Sequence, residues 1–369
     1  MKVVSIRARF NPEPKKGTTM NYVGVDIHKR YSFVSATDEQ GHRVREARIE
    51  GNAPSAFAQF FAGLDGSSKV VLEACWNWGL LHDVLDELEP VEEIVLAHPF
   101  KTRLIADAQI KTDRLDARAL ATLLRGNLVA RVHIPSPQTR QRKNLLRQRL
   151  YWARLRTMLR NRIHALLDRQ RGLALPQCSD IFGVKGLNFL RSLQLPEPDG
   201  ALLAEQLALH DLIAQQMRAQ EKRIVAETRT DPIVQRLQSI PGVGKVLAVV
   251  LAAEIDTITR FPSAERLCAY AGVVPTTHAS GGKIHHGRLL PWCNKWLQWA
   301  LVEAAWIAVG CSGYFGGVYR QHRQRGKPAN KAITIVARRM CRIVWTLLRE
   351  ERDYEERANL ISPAAPAKD

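Results

Sequence analysis

Cysteine is sparse in this chain and never closely paired. The six residues lie at positions 75, 178, 268, 293, 311 and 341, with no Cys-x-x-Cys spacing. That distribution argues against a structural zinc and for a reduced, cytoplasmic setting. Long apolar runs are also missing. The most apolar late stretch, Ala300 to Gly310, is short and carries Glu303, so it reads as a core helix and no membrane partner is expected. Residues 1–20 lack an apolar core and carry Pro and Lys instead, so no secretory signal is expected either. No internal repeat is visible. Acidic residues are in short supply, 36 against 54 Lys and Arg, for a net charge of +18. Between Ala117 and Leu167 there are twelve basic residues and no Asp or Glu. Such a balance favours a polyanionic partner with salt-dependent binding. An anionic membrane competes less well, because the same stretch carries a coiled-coil-like apolar stripe.

What is present suits two or three folded domains in 369 residues, of which 46% are hydrophobic. Residues 1–20 read as a loose basic tail. The segment 21–130 shows strand patterns near 22–27, 31–37, 43–50, 69–73 and 93–97, and helical patterns near 54–64, 78–88 and 113–125. Early strands followed by strand–helix alternation predict a mixed α/β sheet. An arm at 131–230 follows, as two long helices. The first runs over 138–170, with Trp152, Leu155, Leu159, Ile163 and Leu166 at three- and four-residue steps. Its partner covers 201–229, with Leu203, Leu207, Ala214, Met217 and Ile224 near heptad spacing. The two are expected to pair as an antiparallel or intermolecular coiled coil, serving as a spacer, an oligomerisation element or both. The intervening 171–200 reads as loop-rich. A mostly helical domain is expected over 231–352, then a C-terminal tail over 353–369.

Within this basic chain, four acids call for an explanation. Asp26 ends Tyr22-Val23-Gly24-Val25-Asp26, and Glu73 ends Lys69-Val70-Val71-Leu72-Glu73. Both follow short apolar strands, where open α/β sheets place ligand sites. Asp113 and Asp116 are three apart in a helical stretch, so their carboxylates face the same way. Singly, each acid is an ordinary turn, cap or solvated-face residue. Clustered, they suit Mg²⁺ or Mn²⁺, which needs gathered oxygen ligands and can clamp a reacting phosphate.

Two later motifs carry chemistry of another kind. Ile240-Pro241-Gly242-Val243-Gly244-Lys245 lies between helical stretches and matches the hairpin of a helix-hairpin-helix element. There Gly242, Gly244 and Lys245 would meet a phosphate through backbone N–H groups, or simply join two core helices. The second motif is Pro275-Thr276-Thr277-His278-Ala279-Ser280-Gly281-Gly282-Lys283 with His285-His286-Gly287-Arg288. It reads as an exposed, flexible loop in which Lys283 and Arg288 surround Ser280 with positive charge, as a serine attacking phosphorus would need. A plain turn is the competing reading. Trp292, Trp296 and Trp299 then mark an aromatic-rich helix.

Taken in order, Gly24-Val25-Asp26-Ile27-His28-Lys29, Leu72-Glu73-Ala74, Lys111-Thr112-Asp113-Arg114-Leu115-Asp116-Ala117-Arg118, Ile240-Pro241-Gly242-Val243-Gly244 and Ser280-Gly281-Gly282 make a specific pattern. It resembles the transposases of the insertion-sequence 110/1111 family, DEDD recombinases that work with a bridge RNA. The resemblance covers roughly 22–345. It implies a RuvC-like (RNase H-like) N-terminal domain with metal ligands at Asp26, Glu73, Asp113 and Asp116. A coiled-coil arm and a transposase domain would follow, the latter with Ser280 as the nucleophile that becomes covalently attached to DNA. It further implies a composite site shared between protomers, a dimer pairing into a tetramer, and an element-encoded RNA that pairs with donor and target DNA. Nucleic-acid contacts are expected at Arg147, Arg154 and Arg160 of the basic stretch, at the 240–245 hairpin, and at Lys283 and Arg288. Two departures stand out. Leu290-Pro291-Trp292-Cys293-Asn294-Lys295 replaces the Gly-Asn pair and basic residue of many relatives, and Ala279 stands where a second serine is frequent. A hydrolytic Holliday-junction-type endonuclease and a non-catalytic nucleic-acid scaffold are the alternative functions.

Overall fold

The computed structural model describes residues 19–105, 112–280 and 283–356. Apart from a few residues at their inner ends, both expected tails lie outside these described residues. The chain divides into two compact units, Met1–Ile134 and Pro135–Asp369.

In the first unit, alternating apolar residues build a sheet covered on both faces. Strands β1 (Met20–Ile27), β2 (Tyr31–Thr37) and β3 (Arg43–Glu50) form an antiparallel meander. Helix α1 (Pro54–Ala62) leads to β4 (Ser67–Glu73), α2 (Trp78–Asp86) and β5 (Val91–Ala97). Short α3 (Pro99–Ile105), α4 (Asp113–Arg125) and the two-residue β6 (Arg131–Val132) complete the unit. The sheet order is β3-β2-β1-β4-β5-β6, with β1, β4 and β5 parallel. This is a mixed α/β sheet, as the sequence pattern predicts; α3 and β6 are too short to show a period. Val23, Val25, Val70 and Leu72 join Phe57, Phe60 and Phe61 of α1 on one face. Each phenylalanine there contributes about 1.5–3 kcal/mol by leaving water. Intervening residues point the other way, where Val71, Val95 and Ala97 meet Leu120 and Leu124 of α4.

Gly24 is the close-approach point under α4. A Cβ there would lie 2.0 Å from the Ala117 carbonyl oxygen and 2.6 Å from the Ala121 nitrogen. Backbone cannot yield as a side-chain tip can. Gly24→Ala is therefore expected to lift α4 from the sheet and to cost about 1–3 kcal/mol in urea unfolding. Wild-type stability in that variant would show that α4 is not seated on Gly24.

The second unit begins with α5 (Pro137–Leu167), started by Ser136, whose Oγ accepts from Thr139 N at 3.1 Å. Helix α6 (Val184–Ser192) lies within the stretch expected to be loop-rich, which is a correction. At nine residues it is too short for periodicity to stand out among its prolines and polar neighbours. Helix α7 (Asp199–Thr228) follows. Arg142 approaches Glu227, Arg149 binds Glu221, and Arg160 binds His210; rising numbers on α5 meet falling numbers on α7, so the pair is antiparallel within one chain. Leu159, Ile163 and Leu166 pack there with Leu203, Leu207, Ile213 and Met217.

Helices α8 (Pro232–Gln238), α9 (Lys245–Ile255), α10 (Ala264–Tyr270), α11 (Lys295–Cys311), α12 (Gly313–Gln324) and α13 (Ala329–Glu350) form the remaining core. In α9 every residue from Ala248 to Ile255 is buried, which marks it as the central helix. Between α10 and α11 stands an antiparallel hairpin of β7 (Pro275–Ser280) and β8 (Lys283–Leu289). Ser280 therefore ends a strand, which corrects the loop expected there; the consecutive polar Thr276-Thr277-His278 gives no apolar–polar alternation to mark a strand. Helix α11 buries Leu297, Leu301, Ala304 and Ala308 in the core. Among the described residues no single helix is long and apolar enough to cross a membrane.

Candidate metal centre and nucleic-acid contacts

Strand register brings the first two acids together. Val25 pairs with Leu72 across the parallel β1–β4 ladder, so Asp26 and Glu73, one step further, stand side by side on the α4 face at the strands' C-terminal ends. Asp113 and Asp116 occupy the first turn of α4, where the helix dipole favours negative charge. Thr112 caps that turn, its Oγ1 accepting from Leu115 N at 3.3 Å.

At this edge, His28 links two of the acids. Its Nε2 lies 3.0 Å from Asp26 Oδ2 and 3.3 Å from Asp113 Oδ1. One donor atom from each of Asp26, His28 and Asp113 falls within a 4.8 Å cluster. The imidazole stacks on Tyr31 at 4.7 Å, the Tyr31 hydroxyl donates to Asp113 Oδ2 at 2.7 Å, and the Arg48 guanidinium sits 3.9 Å over the Tyr31 ring. His28 and Tyr31 flank the turn between β1 and β2, and their part in the site was missed from the sequence. The only available signal was the Asp-x-His spacing.

Electrostatics follow the geometry. Burial pushes the Asp26 carboxyl above its usual value, opposed by His28 and reinforced by the charges of Asp113 and Asp116. Asp116 thus lies close enough to act on Asp26. The Asp113 carboxyl is held below its usual value by the Tyr31 hydroxyl and His28. A divalent cation at this edge would relieve the repulsion that Asp113 and Asp116 exert on a charged Asp26.

A second network fixes α4 to the sheet. Glu46 of β3 accepts from Arg118 Nη2 at 2.8 Å, Arg114 Nε at 3.1 Å and Ser35 Oγ at 3.1 Å. The Arg118 guanidinium and Ser35 bring the Glu46 carboxyl down to about 2. Arg114 and Arg118 flank Asp116, so this anchor orients the acid-bearing turn.

In the second unit, Ser280 pairs in register with Lys283 at the end of the hairpin; Gly281 and Gly282 lie outside the described residues. Arg288 is exposed on β8, its carbonyl accepting from Thr276 Oγ1 at 3.1 Å. Gly242 has φ +85°, and a Cβ there would lie 2.3 Å from the Ala304 oxygen, so this turn is seated on α11. Gly244 and Lys245 are exposed at the start of α9. Arg147 is engaged internally, ion-paired with buried Glu254 and 4.1 Å over Trp296. Arg154 lies 5.1 Å over the same ring, and Arg160 donates to His210 Nε2 at 3.3 Å. Asn294, within the departing segment, caps α11 and donates to Glu254 Oε2 at 2.8 Å.

Comparison with known proteins agrees with this layout. A family model of the IS110-type DEDD transposases matches residues 23–170, which include all four acids. A second, described as the transposase IS116/IS110/IS902 family, matches residues 234–320, which include the glycine turn and Ser280. A Pseudomonas aeruginosa protein named "Probable family 20 transposase" is 25% identical over 91% of this chain and 98% of its own length. The transposase for insertion sequence element IS1111A of Coxiella burnetii is 24% identical over 94% of each. An uncharacterised protein of insertion element IS110 from Streptomyces coelicolor is 33% identical over 42% of this chain and 38% of its own length. The chain is thus a transposase, a DNA-recombining enzyme whose DEDD domain implies use of a divalent metal. It belongs to the IS110 family of DEDD transposases.

Proposed function

We propose that this transposase is an RNA-guided recombinase that cuts and rejoins DNA through a phosphoserine link at Ser280. The observation that carries the reading is the gathering of Asp26, His28 and Asp113 within 4.8 Å at the sheet edge, beside Glu73 and beneath the first turn of α4. The strand order around β1 supports a RuvC-like domain. The α8–turn–α9 segment supports a helix-hairpin-helix, and the antiparallel α5–α7 pair supports a coiled-coil arm. The proposed domain boundaries are 21–130, 131–230 and 231–352.

Asp26, Glu73, Asp113 and Asp116 would hold Mg²⁺ or Mn²⁺, which supplies Lewis-acid charge to the scissile phosphate when bound. His28 and Tyr31 hold the Asp26 and Asp113 carboxylates in place. Ser280 Oγ loses its proton and forms an O–P bond as the phosphorus–sugar oxygen bond breaks, and the sugar oxygen leaves with a proton. Because one ester replaces another, the bond is conserved and rejoining needs no nucleotide triphosphate. Lys283, paired in register with Ser280, and Arg288, further along the same strand, would counter the charge developing on the phosphate. Arg154, Arg160, Gly242, Gly244 and Lys245 would contact nucleic-acid backbone, while Arg147 is committed to Glu254. An element-encoded bridge RNA would select donor and target DNA, and a dimer pairing into a tetramer would bring acids and serine together from different protomers.

The test uses purified protein, Mg²⁺, the RNA transcribed from the element's flank, and end-labelled donor DNA. On a denaturing protein gel, wild type is expected to retain label and Ser280→Ala to lose it entirely. Cleavage that persists in Ser280→Ala, with no label on protein, would replace this reading with hydrolysis by water.

A further inference from the structure

Between α5, α6 and α7 lies a cavity of about 440 Å³ lined by Arg156, Arg160, Arg191, His210, Asp211 and Arg218, among others. Four guanidiniums thus face one lining carboxylate. That carboxylate is already engaged, since Arg191 Nη2 donates to both Asp211 oxygens at 3.0 and 2.9 Å. Arg156 is half-buried, and burial together with the charges of Arg160 and Arg149 lowers its affinity for its proton despite Glu221 and Asp180. His210 is 3% exposed. Its Nε2 accepts from Arg160, so a neutral ring carries its proton on Nδ1, a buried atom with no hydrogen-bond partner. The nearest Asp211 oxygen is 3.7 Å away. Four guanidiniums around a cavity whose one lining carboxylate is already engaged leave excess positive charge, which suits an oxyanion.

A second groove, about 690 Å³, is lined by Arg218, Glu221, Lys222, Val225, Arg229 and Lys245. It shares Arg218 with the first. Its one carboxylate is also engaged, because Arg149 Nη2 donates to Glu221 Oε1 at 2.6 Å. Asp211, Arg218, Lys222, Val225 and Arg229 recur at seven-, four-, three- and four-residue steps, which places them on one face of α7. Arg218 to Arg229 spans about 16 Å along the helix, and the row ends at exposed Lys245, directly after the glycine turn.

We propose that this face of α7 is a track for a phosphodiester backbone, with one phosphate seated among Arg156, Arg160 and Arg218 and its neighbours running toward Lys245. The proposal rests on the reading of this chain as a nucleic-acid enzyme. It adds Arg218, Lys222 and Arg229 to Arg160 and Lys245, which the sequence had already singled out. Recessed guanidiniums suit phosphate oxygens, which they bind in a bidentate fork. A linear row of cations with engaged acids between them suits a chain of phosphates, whereas a flat anionic bilayer would need protruding charge and an apolar anchor.

Binding is best measured in full-length Ser280→Ala protein, so that no chemistry is required. Fluorescence anisotropy with labelled duplex DNA and labelled single-stranded RNA of equal length would be followed across a salt series. Adding Arg156→Gln, Arg218→Gln and Lys222→Gln together should weaken binding about tenfold or more at physiological salt and flatten the log–log salt slope by about two to three. Replacing Arg156 and Arg218 by Lys should keep the slope. Should the triple variant fail to fold, the surface substitution Lys222→Glu alone should still weaken binding severalfold and reduce the slope by about one. Loss confined to DNA, or to RNA, identifies which strand uses the track. Unchanged slopes with both probes in a folded variant overturn the proposal, whatever the outcome of the labelling test at Ser280.

Discussion

Asp26→Asn is expected to lower metal-dependent strand cleavage by at least about a thousandfold, equivalent to roughly 4 kcal/mol of barrier, while the fold and nucleic-acid binding remain. Asn keeps the shape and can still accept from His28, which isolates the charge. Asp26 is better buried than Asp113, with 16% of its side chain exposed against 41%. Burial and the neighbouring carboxylates push its proton affinity up. It therefore has more to gain from a cation than Asp113, and its loss as a proposed ligand should be felt more strongly. Single-turnover cleavage over a Mn²⁺ titration gives the rate, and calorimetry with Mn²⁺ alone gives the binding. A variant cutting within tenfold of wild type, with Mn²⁺ affinity intact, would remove Asp26 from the metal centre.

Glu254→Gln carries the largest expected loss of stability. Glu254 is 2% exposed in α9 and meets Lys143 Nζ at 3.3 Å, Arg147, and Asn294 Nδ2 at 2.8 Å. One buried carboxylate thus ties α5 and the start of α11 to the central helix. Neutralising it leaves two part-buried cations facing each other, at a cost of about 3–5 kcal/mol, or on the order of 10 °C in melting temperature. Burial raises the Glu254 carboxyl, but Lys143 and Arg147 outweigh it and hold the group below its ordinary value of 4.5. The folded state therefore binds this proton less readily than the unfolded chain. Its contribution is fully present above pH 4.5 and is lost as pH falls through the lower folded value. Differential scanning calorimetry over an acid series should show a weaker acid-dependent decline in the Gln variant. Equal melting temperatures at neutral pH would mean the pair contributes nothing net.

The four acids were legible in the sequence because their placement depends on local rules. Asp26 and Glu73 follow apolar strands, and Asp113 and Asp116 share a helical face, so periodicity alone put them at element ends. His28 and Tyr31 were not legible, since their contacts with Asp113 depend on where a helix more than eighty residues later lands. Arg147 shows the converse. As one of twelve bases in an acid-free stretch it looked outward, yet its carboxylate partner lies 107 residues on, in α9.

By itself, then, the sequence determined the mixed sheet, the long helices, the acids at the strand ends and the family pattern, because each rests on residue spacing within an element. Only the tertiary structure decided that Ser280 closes a hairpin, that Glu46 anchors the acid-bearing turn, and that the α7 face gathers arginines around a cavity. Those outcomes depend on which surfaces meet once the chain has packed. Spacing along one element does not encode the charge, burial or backbone of another element brought against it.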